Sequence, residues 1–227
     1  MLSMSFRSFA VSAALVAASA SATATGLTIP VNALTADSVQ AFSDAALKSF
    51  ALKFIGVTVT PKGTATASAS TTGAYVLPIT HITLKGLKIA SGQARGAALV
   101  ISRENDDGEV VGFTLANFSI NYETKQVLAD TTPLGSTVTV PQLPLYNYNA
   151  LAPLALKYKF PLTITGHEVL DQLFLTPEAK AVFMDSLQLP AVAIGLLNTT
   201  DFGTLTQDIS TKFRKTPVPN KLYVPAP

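Results

Sequence analysis

The clearest alternation of apolar and polar positions runs from Glu109 to Asp130, EVVGFTLANFSINYETKQVLAD. Successive side chains of a strand point to opposite faces. Val111, Phe113, Leu115, Asn117, Ser119 and Asn121 therefore share one face, and Gly112, Thr114, Ala116, Phe118, Ile120 and Tyr122 the other. Both faces are apolar near the middle, which predicts a strand covered on both sides. A tight turn near Glu123–Lys125 leads into the returning strand. Shorter β signals bounded by Gly, Pro or Ser precede it at Val57–Pro61, Tyr75–Pro78, Ile79–Ile89 and Ala94–Ser102. Arg103–Gly108 (RENDDG) is a polar turn whose Asp-Gly pair favours a hairpin. Val138–Val140, Leu154–Phe160 and Leu162–Ile164 are further strand candidates, and the Pro-rich PQLPLYNYNALAP between them reads as a long loop. Thr64–Thr72 (TATASASTT) is a low-complexity piece, either a flexible connection or a weak edge strand.

Two segments change period. From Thr35, Val39, Phe42, Ala46, Phe50 and Phe54 recur at spacings of three and four, predicting a helix over about 35–54 capped by Thr35 or Asp37 and stopped near Gly56. A second helix over about 176–188 begins with a Thr176 cap, Pro177 in the first turn and Glu178 at the positive end of the dipole. The two segments share Leu-Thr, an acid, a Phe and a following Asp, by duplication or by convergence of apolar helices. The expected fold is mainly β: an antiparallel sandwich or barrel-like domain with two α-helices.

Composition supports an exported chain. Of the 227 residues 48% are hydrophobic and 13% charged, about half the charge usual for a soluble domain. Met1–Ala24 has the anatomy of a secretory signal: Arg7, the apolar run Phe9–Ala18, and a small-x-small cleavage site at Ala22-Thr23-Ala24. The apolar run is too short to span a bilayer, which takes about 20 residues. The expected organisation is a signal peptide at 1–24, one β-rich domain at 25–211 and a basic Pro-rich tail at 212–227, extended or loosely docked. The mature chain shows no integral membrane segment, and its expected location is periplasmic or extracellular. With no cysteine, disulfides and thiol chemistry are excluded. A net charge of +2 with no local concentration of Lys and Arg argues against nucleic acid.

Catalytic signatures are sparse. There is no Gly-x-Ser-x-Gly, Ser-x-x-Lys, His-Glu-x-x-His or phosphate-binding Gly-rich loop. His167, after Gly166 and near Glu168 and Asp171, is the candidate for hydrolytic chemistry; His81 lies among strand residues and reads as structural. The acidic turn Glu104–Glu109 lacks EF-hand spacing and reads as a solvated turn rather than a calcium site. Tyr146, Tyr148 and Tyr158 gather around the Pro-rich segment, either lining a ligand surface or packing a loop on the sheet. Lys212, Arg214, Lys215 and Lys221 give the tail a basic character, read as solvated charge rather than contact with an anionic surface.

From Ser91 onward the order of elements resembles the HtaA-type domain of exported bacterial haem-uptake proteins. LANFSINYETKQVLAD (Leu115–Asp130) is similar to that family's strand, turn and strand; LTPEAKAVFMDSL (Leu175–Leu187) followed by TDFGTLTQDI (Thr200–Ile209) looks like its closing helix, Gly turn and last strand. The resemblance covers about half the mature chain and implies a β architecture and haem as an admissible ligand. Phe50 and Phe54 stand where a first-helix tyrosine would be expected, and the matching strand has no histidine. Haem iron needs such an axial ligand, so no ligand residue is carried over.

These readings point to an exported, non-enzymatic envelope binding or structural protein without a resident cofactor. Two alternatives stand beside it: a carrier of haem or another apolar small molecule, and a hydrolase using His167. The ligand-contact candidates are Tyr146, Tyr148, Tyr158 and His167. The partner is an envelope component or a small molecule, and an oligomer is left open.

Overall fold

The computed structural model describes residues 26–85, 88–160 and 163–226, without the side chains of Leu156, Tyr158 and Lys159; the expected signal segment lies outside the described residues. Among the described residues the strands are β1 (Leu27–Pro30), β2 (Leu34–Ala41), β3 (Thr58–Gly63), β4 (Thr66–Ala67), β5 (Ala74–Pro78), β6 (His81–Lys85), β7 (Lys88–Glu104), β8 (Val110–Asn121), β9 (Gln126–Pro133), β10 (Val140–Lys159), β11 (Thr163–Leu175) and β12 (Thr204–Phe213). All belong to one antiparallel sheet of order β1-β6-β7-β8-β9-β10-β11-β12-β2-β5-β4, with β3 beside β7. Consecutive strands β5 and β6 stand near opposite ends of that order. Ile79 donates to Ala36 and Thr80 to Gln93 at their joint, so the sheet curls until its ends meet there. The result is the mainly β, barrel-like architecture expected.

The central strand is organised differently from its simple alternation. Phe113 and Leu115 face the core, but so do Phe118 and Ile120. The phase changes at Asn117, whose φ of +52° marks a bulge. The neighbouring strand β7 bulges beside it at Gly96 (φ +82°), and β10, on the far side of β9, bulges at Gln142 (φ +47°). Asp130 ties the row together, accepting from Asn117 Nδ2 at 2.8 Å and from Gln142 N and Nε2 at 2.9 Å. Gly112–Phe118 are all buried, so the middle of β8 is covered on both sides as expected, while the face it turns to the core changes at Asn117. The bends this requires let a long sheet curl.

Two expectations are corrected. Residues 35–41 of the predicted first helix form strand β2, and the helix α1 is only Asp44–Phe50, capped by Ser43. Between β12 and β5 the alternation Ala36, Ser38, Gln40 faces inward, and two ladders of hydrogen bonds outweigh the local helical stripe. The Pro-rich segment is likewise not a loop but most of β10. Pro141 and Pro153 fall within breaks of its register and Pro144 borders one, where a missing N–H costs little. The second helix, α2 (Pro177–Ser186), is as expected, with Thr176 Oγ1 accepting from Ala179 N at 3.1 Å; a short α3 (Ala193–Thr199) was not foreseen. Leu34-Thr35 opens a strand and Leu175-Thr176 a helix, so the two similar segments do not share a fold. Thr64–Thr72 contributes the short edge strand β4.

The core lies inside the curl and under the helices, where Phe42, Phe50, Phe113, Phe183, Phe202 and Tyr146 form a chain of ring contacts at 5.0–6.1 Å. The basic tail is extended and tied to the barrel. Arg214 meets Asp37 at 2.8 Å, Val218 N donates to Asn32, and Tyr223 both donates to Asn117 Oδ1 (2.8 Å) and accepts from its Nδ2 (3.0 Å). Gly96 is required here, because a Cβ would come within 2.9 Å of the Lys221 carbonyl. His81 is a buried latch for the same tail: its Nδ1 donates to Thr80 Oγ1 and its Nε2 accepts from Asn220 Nδ2. Burial, then the charge of Arg95, holds its pKa below the ordinary histidine value, consistent with the neutral ring this arrangement needs.

Candidate functional site

The two ends of the curled sheet differ. Where β2 and β11 end, the helices cover it and leave a cavity of only about 20 Å³ among Phe50, Phe183, Leu197 and Phe202. The interior between the ends is also filled: the space bordered by Ser38, Gln40, Phe118 and Gln207 is about 30 Å³, room for a water. A carrier that encloses its ligand in the barrel is therefore excluded by volume.

The opposite end is open. Strand β10 pairs with β9 only as far as Asn147, and beyond it keeps β11 as its ladder partner among the described residues. The start of β7, at Lys88 and Ile89, faces the unpaired stretch across an open groove of about 370 Å³. Tyr148, Ala150, Pro153 and Leu154 wall it on the β10 side. Tyr122, at the end of β8, lies at its floor, and Lys125, on the β8–β9 turn, stands exposed at its edge.

Glu168 sits at the bottom, 2% exposed. Alternation along β11 turns Gly166, Glu168 and Leu170 inward, so an acid enters an otherwise apolar row. Its carboxylate accepts from Tyr122 Oη at 2.6 Å, from Gln207 Nε2 and from the Leu154 backbone N–H, which the break in the β10–β11 register frees. Gln207 also donates to Tyr122 Oη at 3.1 Å. Burial raises the Glu168 pKa, outweighing the bonds from Tyr122 and Leu154 that lower it. Burial, then the Glu168 carboxylate, pushes the Tyr122 phenol far up, and Tyr148 is raised for the same two reasons. These phenols stay protonated. They can donate hydrogen bonds and offer ring surface, but are poor nucleophiles. The groove's chemistry is that of holding a molecule.

The sequence-based candidates separate. Tyr148 lies in the groove. Tyr146, two residues away, is buried in the core against Phe202, because the bulge at Leu145 sends both Leu145 and Tyr146 inward. The backbone of Tyr158 pairs with Ile164 in the outer part of the β10–β11 hairpin; its side chain is outside the described atoms. His167 is on the outer face, bonded through Nδ1 to Asp208 Oδ1 at 2.7 Å in an open trough of about 330 Å³ with Thr165 and Ser210. Glu168 points the other way, and Asp208, directly across the β11–β12 ladder, takes the role expected of Glu168 or Asp171. Both side chains are more than half exposed, leaving the pair open to water. In the acidic turn, Asn105 Oδ1 accepts from the Asp107 and Glu109 backbone, spending that oxygen on the turn itself.

Tyr122, Glu168 and Gln207 were not anticipated as a site. The available signal was the acid at an inward position of β11, visible only once the phase of that strand is known.

Comparison with models of protein families finds no match, and neither does comparison with curated proteins. Among solved structures, the C-terminal domain of HtaA from Corynebacterium glutamicum is similar, at 12% identity and a TM-score of 0.49, over 78% of this chain and 97% of that one.

Proposed function

We propose that this is an exported, non-enzymatic binding protein of the cell envelope that holds a small, largely apolar molecule bearing an anionic group in the open groove at the end away from the helices. The observation that carries the reading is the contrast in room: about 370 Å³ in the groove against about 30 Å³ inside the barrel. Ile89, Pro153, Leu154 and the Tyr148 ring offer apolar contact, and Lys88 and Lys125 stand exposed at the rim to meet an anion. Glu168 and Tyr122 form a fixed polar floor that can orient a ligand hydroxyl or amide. The signal-like start of the sequence supports export.

The test begins with native mass spectrometry and an absorbance spectrum of mature protein purified from its own envelope, and continues with titration of anilinonaphthalene sulfonate, an aromatic anion, and of haemin. A retained small molecule is expected. Sulfonate binding should weaken about five- to tenfold in Lys88→Glu/Lys125→Glu, as expected for partly exposed charge pairs. Clean apo protein, with probe binding indifferent to these changes, overturns the groove reading. A haemin complex with an axial-ligand spectrum would instead point to haem as the ligand.

A further inference from the structure

We infer that the open end of the barrel is a docking face for an anionic lipid bilayer, with the β10–β11 hairpin as its apolar probe. The up-and-down course of the chain carries the β6–β7, β8–β9 and β10–β11 turns and the end of β12 to one end of the sheet. The helices and the Glu104–Glu109 turn lie at the other. Charge is biased along the same line, although Lys48, Lys53 and Lys180 lie with the acids at the helical end. Lys85, Lys88, Lys125, Lys157, Lys212 and Lys215 are exposed at the open end, and none belongs to an ion pair recorded among the described residues. Asp44, Asp106, Asp107, Glu109, Glu178 and Asp185 are exposed at the helical end. Of the acids near the lysines, Glu123 lies on the β8–β9 turn, while Asp37 and Asp208 are engaged by Arg214 and His167. A net charge of only +2 conceals this separation.

Apolar side chains stand among those cations. Phe160 at the hairpin tip is 84% exposed and Phe213 at the end of β12 is 80% exposed. Ile164 N donates to Thr211 Oγ1 at 2.9 Å, which brings the end of β12 alongside the tip. Exposed phenylalanines ringed by lysines match an interface with an anionic surface outside and hydrocarbon beneath. A soluble polyanion would satisfy the lysines and leave the rings in water, so a lipid surface is favoured over a polysaccharide. Among the described residues no helix is long and apolar enough to cross a membrane; the contact inferred is interfacial. It places the groove mouth toward the bilayer.

Vesicle flotation of the mature full chain tests this, using phosphatidylcholine vesicles with and without phosphatidylglycerol. Flotation is expected only with the anionic lipid and should decline as salt is raised. Phe160→Ser/Phe213→Ser should lower partitioning about tenfold or more. Lys157→Glu/Lys212→Glu should lower it roughly fivefold or more per lysine, whereas Asp106→Lys/Asp107→Lys at the far end should not lower it. Circular dichroism verifies that the variants fold. Absence of flotation, flotation indifferent to Phe160 and Phe213, or retention on heparin without vesicle binding overturns the inference. Sulfonate binding without vesicles, measured on the same Phe160, Phe213, Lys157 and Lys212 variants, should be unchanged, since these residues lie outside the groove lining. Loss of docking is thereby distinguished from loss of the groove ligand.

Discussion

The helical and open ends of this barrel are built from the same kinds of strand but finished in opposite ways. At the helical end Phe113, Phe183 and Phe202 are almost completely buried, ring against ring, and α1, α2 and α3 seal the sheet. At the open end β10 outruns β9 and leaves a groove floored by a buried acid. The helical end has the packing expected of stability; the open end keeps a buried carboxyl group, which costs stability, beside exposed lysines, and both make sense as binding equipment.

Truncation at the sealed end should have the largest effect. Phe183→Ala removes a ring at 5.0 Å from Phe113 and 5.9 Å from Phe202 and opens a cavity beneath α2. A loss of about 3–5 kcal/mol in urea unfolding is expected, with groove binding retained in the protein that remains folded. A loss under about 1 kcal/mol would show that this end is less tightly packed than its burial implies.

Glu168 sharpens the comparison from the other side. Its folded pKa is raised above the unfolded one, so the folded state holds its proton to higher pH. The stability it contributes is complete below the ordinary carboxylate value of 4.5 and is lost as pH rises through the raised value. Glu168→Gln keeps a side-chain carbonyl to accept from Tyr122 and should remove that part of the pH dependence. Glu168→Ala leaves the donors of Tyr122, Gln207 and Leu154 unsatisfied and should cost about 1–3 kcal/mol. Urea midpoints measured from pH 4 to 8 separate the two, and identical pH profiles for wild type and Glu168→Gln would refute the role given to this group.

The smallest change is expected at the outer-face pair. His167→Ala removes a bond between two side chains more than half exposed, so stability should move by about 1 kcal/mol or less and sulfonate binding not at all. A marked loss of binding would move the site from the groove to the trough around Asp208.

Local signals were legible wherever neighbours within a few residues decide the conformation. Asp107-Gly108 turned the chain between β7 and β8, and Thr176-Pro177 opened α2 as its cap chemistry demands. The same kind of reading failed for Thr35–Ala41, whose helical spacing was overridden by β12 and β5 on either side. It also failed for Pro141–Pro153, whose prolines sit at or beside interruptions in the ladders. At the candidate site Tyr148 was legible as an aromatic on a Pro-rich stretch. Tyr146 was not distinguishable from it, because one bulge sends it into the core.

By itself the sequence determined the β-rich class, the main hairpin, the second helix and the absence of thiol chemistry. These follow from period, turn chemistry, capping and composition, all of which act locally or by inventory. Only the tertiary structure decided which face of each strand is inside, because a single extra residue at Gly96, Asn117 or Gln142 reverses the alternation beyond it. That phase buried Glu168 beside Tyr122 and Gln207. Pairing across the chain, from Lys85 to Lys215, then gathered six exposed lysines scattered in sequence at one end and most of the exposed acids at the other.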